Sequence, residues 1–384
     1  MKICVVGAGN AGVITALHYA HYTREIQDIE IELVYDPEIP VVPVGQGTLL
    51  DVTNLLWLSL GTDWHTNKIK ATPKLGVLYE NWGKKNKKFF HAFPMHNIAA
   101  HYDPETLQNY ILNSGLFRVR HENIDDLYKI DADVIFDCRG NKDKDDSNYE
   151  DVLNPLNSCL LATSEKKDPN QFWTRAVATP DGWSFVIPNT TDTTSYGYLF
   201  NTNYTTQAEA ESNFSDIFRK DFPDGIDSQK LDFTSYVAKE SVTIEGGRAT
   251  ILNGNRLAFV EPLEATSTAL YLDQARYSFD YLINREGPYH DINQRIRKKF
   301  KAQCTFILWH YLKGSRYKTS FWDHAMQLAE FGIDETDTDF FNIMNTIKND
   351  NGINLRDINR YPSLASYGSW TYWSFKNWHE NVIC

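Results

Sequence analysis

Near its amino terminus the chain runs from an apolar strand, Ile3-Cys4-Val5-Val6, into Gly7-Ala8-Gly9-Asn10-Ala11-Gly12, then into a stretch carrying Val13, Ile14, Leu17 and Ala20 at helical spacing. No other feature constrains the fold as strongly. A Gly-x-Gly-x-x-Gly between strand and helix predicts a βαβ unit on a parallel sheet, because each glycine has its own steric task. Gly7 permits the tight turn, Gly9 lets backbone approach a pyrophosphate, and Gly12 lets the helix pack on the strand. The helix start offers N–H groups and a partial positive charge to phosphates. Residues 29–35 alternate as a second strand that Asp36-Pro37 stops, which puts Asp36 24 positions after Gly12, where a carboxylate accepts ribose hydroxyls. A dinucleotide site at Gly7, Gly9, Asn10, Ala11, Gly12 and Asp36 is expected. An acid there argues against a 2′-phosphate, and the motif alone leaves FAD and NAD open.

Charge narrows the partners. Thirty-eight Lys and Arg against 50 Asp and Glu leave a net charge of −12 over 384 residues. Such a surface repels nucleic-acid phosphate and anionic lipid, so no nucleic acid and no membrane is expected as a partner. No run reaches the roughly 18 apolar residues that span a bilayer. Gly7, Gly9 and Asn10 interrupt the apolar start too early for a signal peptide, and a cytoplasmic location is expected. Cys4, Cys138, Cys159, Cys304 and Cys384 form no Cys-x-x-Cys pair and read as reduced thiols. His91, His96 and His101 recur every five residues, a spacing that suits neither face of a helix for a metal, so none is expected.

The rest of the chain divides by pattern. Asp133-Val134-Ile135-Phe136-Asp137 reads as a buried strand, and residues 141–150 as a polar loop. From about 151 to 240 short β-like runs alternate with turns such as Thr179-Pro180-Asp181-Gly182 and Asn189-Thr190-Thr191. From Ala265 to Gly332 the period becomes helical, and residues 361–379 are dense in Tyr and Trp. The expected class is α/β: a discontinuous nucleotide-binding module over 1–285 with an antiparallel sheet inserted at about 151–240, and a helical substrate-side subdomain over 286–384.

Three further segments are unusual: Pro43-Val44-Gly45-Gln46-Gly47-Thr48, Gly182-Trp183-Ser184-Phe185-Val186-Ile187-Pro188, and Thr72 to Trp82 with Lys74 in an otherwise apolar and aromatic strand. With Phe259-Val260-Glu261-Pro262-Leu263-Glu264-Ala265-Thr266-Ser267, they resemble the flavin-dependent halogenases of the tryptophan-halogenase family, in that family's order. His310-Tyr311 and Thr319-Ser320-Phe321-Trp322 look like its helical region. The resemblance covers most of residues 1–330 and marks a short member. Phe185 replaces the second Trp of the family's string, Gln46 an acid in the loop near the flavin, and Ser267 a glycine of the halide loop. Asp36 sits one position from the usual acid.

The resemblance implies an FAD-binding Rossmann-like three-layer fold and a two-component enzyme. Reduced FAD would come from a separate flavin reductase, and oxygen and a halide (chloride, bromide or iodide) would yield hypohalous acid. It adds Val44, Gly47, Asn255 and Thr268 to the FAD site and makes Thr266 and Ser267 the halide site. Trp183 and Phe185 become walls of the substrate pocket. Lys74 would activate hypohalous acid, by hydrogen bond or as a haloamine. Glu264 would position the halogenating species or take the ring proton. The expected reaction is electrophilic halogenation of electron-rich aromatic small molecules. The alternatives are an FAD-dependent aromatic monooxygenase and a non-catalytic flavin-binding protein. Lys74 separates the first of these, since a hydroxylase of this fold has no need of it.

Overall fold

The central sheet orders its strands Val242–Glu245, Arg248–Leu252, Val134–Asp137, Lys2–Val6, Glu30–Tyr35 and Arg118–His121. All neighbours are parallel except the first pair. This comes from a computed structural model that describes residues 1–42, 44–93, 98–142, 146–165, 168, 170–189, 193–334, 336–349 and 366–383. Pro43, His96, Thr190, Thr191, Cys384, residues 143–145 of the polar loop and residues 361–365 of the aromatic tail lie outside the described residues.

Strand alternation builds the layers. Ile3 and Val5 face one side of the sheet, with Val13, Ile14 and Leu17 of helix Asn10–Thr23 and Leu272 and Ala275 of helix Thr266–Leu282. Cys4 and Val6 face the other, covered by Ile124, Leu127 and Ile130. Two strands of this sheet follow residue 240, so the module is discontinuous around an insertion. The chain therefore has a Rossmann-like α/β architecture with an inserted, mostly antiparallel sheet and a helical carboxy-terminal region.

That second sheet has seven strands, ordered Gln229–Asp232, Ser158–Ser164, Thr194–Phe200, Gly182–Pro188, Thr174–Thr179, Gly76–Glu80 and Lys88–Ala92. Its one parallel pairing joins Thr174–Thr179 to Gly76–Glu80. Helix Gln207–Ile217, started by a Thr206/Glu209 capping box, closes one face through Phe214. Helices Tyr289–Tyr311, Ser320–Gly332 and Tyr372–Trp378 close the other.

The stretch Thr72 to Trp82, which reads as one strand in sequence, changes sheet at Leu75. Thr72–Lys74 joins a small antiparallel sheet with Ala99–Tyr102 and Gln46–Gly47, while Gly76–Glu80 enters the large sheet. Gly76 permits the crossing, because a Cβ there would lie 2.2 Å from the His91 carbonyl oxygen. The consequence is functional. Lys74 and Gly47 both pair with the strand Ala99–Tyr102, opposite Ala99 and His101 respectively.

Candidate active site

The fingerprint glycines behave as their spacing implies. Gly7 has φ +105°, and a Cβ on Gly12 would lie 1.8 Å from the Gly7 carbonyl oxygen. A Cβ on exposed Gly9 would meet nothing within 4 Å. Gly9 is the cap of helix Asn10–Thr23, with no side-chain cap and no acid in the first turn. The open, uncapped helix start, with Asn10 and Ala11 in its first turn, suits a phosphate. Asp36, half-buried past the end of Glu30–Tyr35, accepts from the Glu38 N–H at 2.9 Å. Asn255 stands on the turn Gly254–Arg256, whose Gly254 leaves room for Ala11: a Cβ on Gly254 would sit 2.6 Å from the Ala11 Cβ. Thr268 donates to the carbonyl of Gly47 at 3.3 Å, tying helix Thr266–Leu282 to the Val44–Gly47 loop. These residues fit a dinucleotide such as FAD: an open glycine, free helix N–H groups and a carboxylate at the strand end.

Lys74 is buried, 1% exposed. Its Nζ donates to the Thr48 carbonyl at 3.4 Å and stands over the Phe93 ring at 5.4 Å. Thr48 is fixed by its own bonds to Thr53 and Ala100. Burial pushes the Lys74 ammonium down to about 8, with Glu264 pulling it partly back. A Cβ on Gly47 would lie 3.1 Å from Lys74 Nζ and 3.7 Å from the Ala265 Cβ. The ammonium and the Glu264–Ala265 turn thus meet around a residue with no side chain.

Glu264 and Ala265 hold φ of 67° and 54°, left-handed values that neither residue favours. The turn aims the Glu264 carboxylate inward. Its Oε2 accepts from Trp370 Nε1 at 3.1 Å, and its Oε1 has no hydrogen-bond partner among the described residues. Burial holds its carboxyl above the usual carboxylate range, against the pull of Lys74 and Trp370. His310 Nε2 lies 3.8 Å from Oε1. His310 Nδ1 donates to the Phe306 carbonyl at 2.7 Å, and burial lowers the imidazole to about 3. The ring is therefore neutral, with the Nε2 lone pair toward Glu264 and Tyr79. At 3.8 Å from Oε1 no hydrogen bond forms, and the neutral imidazole brings no positive charge to offset burial of the carboxylate.

Glu261 faces elsewhere. Trp183 Nε1 at 3.0 Å and Tyr311 OH at 2.7 Å both donate to its Oε1, and burial pushes its carboxyl up to about 8. Trp183 and Phe185 are buried side by side, ring centroids 6.2 Å apart. Thr266 opens the helix Thr266–Leu282 without capping it, since Ala265 is the cap residue and makes no side-chain bond. The Thr266 hydroxyl is buried with no partner among the described residues, and Ser267 is half-buried one residue on.

Beside Glu264 lies a cavity of about 10 Å³, lined by Tyr79, Phe89, His91, Phe306, His310, Ser374 and Trp378. That is room for one water molecule. Tyr79 and His310 lie in segments that carry the resemblance, and the aromatic density of the tail is the one sequence signal for Trp370, Ser374 and Trp378. His101 bonds Thr174 at 2.8 Å, and no cluster of three metal-ligating side chains occurs among the described residues. Among them, too, no helix is long and apolar enough to cross a membrane.

Compared with known proteins, residues 2–114 and 116–351 match the family model described as Tryptophan halogenase. No curated protein sequence matches the chain. Among solved structures, MibH, a lanthipeptide tryptophan 5-halogenase, is similar with a TM-score of 0.81 at 19% identity, over 99% of this chain and 85% of that one. A tryptophan halogenase from Shewanella frigidimarina gives 0.78 at 16% identity, over 99% and 88%. Xcc4156, a flavin-dependent halogenase from Xanthomonas campestris, gives 0.75 at 18% identity, over 90% and 83%. At these identities the likeness is one of fold.

Proposed function

Because the chain belongs to the tryptophan halogenase family, we propose that it is a two-component enzyme that places halogen on electron-rich aromatic small molecules by electrophilic substitution. FAD, held by Gly7, Gly9, Asn10, Ala11, Gly12, Asp36, Val44, Gly47, Asn255 and Thr268, supplies when reduced the chemistry that converts oxygen and halide to hypohalous acid. One dinucleotide fingerprint leaves no second one for a nicotinamide donor, which supports a separate flavin reductase. The amides of Thr266 and Ser267 at an uncapped helix start suit the halide.

One observation carries the reading: a buried lysine stands across Gly47 from the turn that carries a buried glutamate, on elements other than the glycine fingerprint. Lys74, with its ammonium eased toward neutral pH by burial, donates a hydrogen bond to hypohalous acid and makes its halogen more electrophilic. Glu264 takes the ring proton as aromaticity returns, its affinity for that proton raised by burial. Trp183, pinned on Glu261, and Phe185 form a fixed apolar wall. The test is incubation with reduced FAD, oxygen, bromide and an electron-rich arene, read by mass spectrometry. Bromine in place of hydrogen is expected. Gain of one oxygen would instead make the protein a monooxygenase, and no product with oxidised flavin would make it a non-catalytic binder.

A further inference from the structure

The space in front of Glu264 is already taken. Trp370 donates its indole N–H to Oε2 at 3.1 Å and lies nearly parallel to Phe306, ring centroids 3.9 Å apart and 26° between planes. Trp378 stands 4.1 Å from the His310 ring, and with Ser374 it walls the remaining void. That void has room for no more than one water, so no six-membered ring reaches the free Glu264 oxygen while these side chains stay. All three residues come from one short piece of chain. A hairpin turning at Gly368, with φ +61°, delivers Trp370, and the helix Tyr372–Trp378 delivers the others.

We propose that Ser366–Ile383 is an intramolecular plug, in which Trp370 occupies the place of the acceptor ring and must leave before an external arene can react. The observations converge on the same side chain. An arene that displaces Trp370 exposes a buried carboxylate oxygen unless it brings its own N–H or O–H donor. Trp370 therefore also sets specificity: donors that stack on Phe306 and bond Glu264 open the site, and plain hydrocarbons do not. Burial of Tyr367, Tyr372, Phe375 and Val382 also holds the segment, with polar links such as Asn377 to the Phe90 carbonyl at 3.0 Å and Asn381 to Asn86 at 2.7 Å.

The inference rests on Glu264 facing the acceptor ring, but binding to flavin-free protein tests it apart from turnover. Loss of halogenation with intact binding would sink the halogenase reading and leave the plug standing. The probe is indole, the side chain of Trp370 in free form, titrated by calorimetry into the full chain and into Trp370→Ala. The variant should bind indole at least about tenfold more tightly than the wild type, and bind 1-methylindole about tenfold more weakly than indole, the scale of one hydrogen bond to a buried group. Equal affinity in wild type and variant, or no binding to a variant shown to be folded, would overturn the proposal. A wild-type measurement covers the case in which the variant does not fold: saturating indole should speed amide hydrogen exchange across Tyr372–Trp378. Indole binding that leaves this exchange unchanged would equally overturn it.

Discussion

Replacing Lys74 by methionine keeps a long apolar stem and removes the buried charge. Burial lowers the Lys74 ammonium from 10.5 to about 8. At about 1.4 kcal/mol per unit, holding the charge in the folded state costs on the order of 3 kcal/mol. The sign follows from the two states. Below about pH 8 the lysine is charged both folded and unfolded, and the wild type carries the full cost. Between 8 and 10.5 the folded protein has lost the proton and the unfolded chain still binds it, so wild-type stability climbs with pH. Above 10.5 both states are neutral and the cost is gone. Lys74→Met lacks this climb. Urea unfolding of both proteins, followed by tryptophan fluorescence, should show the wild type gaining on the variant by about 3 kcal/mol across that window. At neutral pH the variant should be the more stable protein despite losing a residue that the mechanism needs. A stability difference that stays flat from pH 8 to 10.5 would show that the ammonium is hydrated, and would remove the ground for a dry lysine poised near neutrality.

Gly9→Val should abolish FAD binding while leaving the fold unchanged, because φ −63° suits any residue and a Cβ there meets nothing within 4 Å; flavin titration and a thermal melt check both halves. Gly12→Val is the contrast: its Cβ would lie 1.8 Å from the Gly7 carbonyl oxygen, so the melting temperature should fall with the flavin site. Glu264→Gln should slow product formation by about 10²-fold, the scale of a lost general base, while leaving flavin oxidation unchanged. An unaltered rate in single-turnover assays would return Glu264 to a role in the turn alone.

The glycine fingerprint was readable because its strand, turn and helix are consecutive in the chain and Gly12 meets the Gly7 carbonyl five residues away, although Gly7 itself packs against the distant Cys138. Lys74 was readable for a related reason, a charge placed among apolar and aromatic neighbours in one segment. The break at Leu75 was not, because two consecutive strands in different sheets carry the same alternation as one long strand. The surroundings of Glu264 were hidden for a different reason. Trp370 reaches it across 106 positions and Tyr79 meets His310 across 231, and no local periodicity records such pairings. The same holds for the division between the two glutamates. Their spacing says that both lie on one turn, but partners brought by Gly182–Pro188 and Tyr289–Tyr311 fix Glu261 in the core, while the tail meets Glu264.

The central claim is that activation of halogen at Lys74 is separate from the flavin chemistry. Its most direct test compares wild type with Lys74→Ala, each given reduced FAD, oxygen, bromide and an electron-rich arene. Flavin oxidation is followed by absorbance and the arene by mass spectrometry. The account predicts equal rates of flavin oxidation, brominated arene from the wild type and none from the variant. Brominated arene from Lys74→Ala at a comparable rate would contradict it, because freely diffusing hypohalous acid would then do the work and Lys74 would be structural.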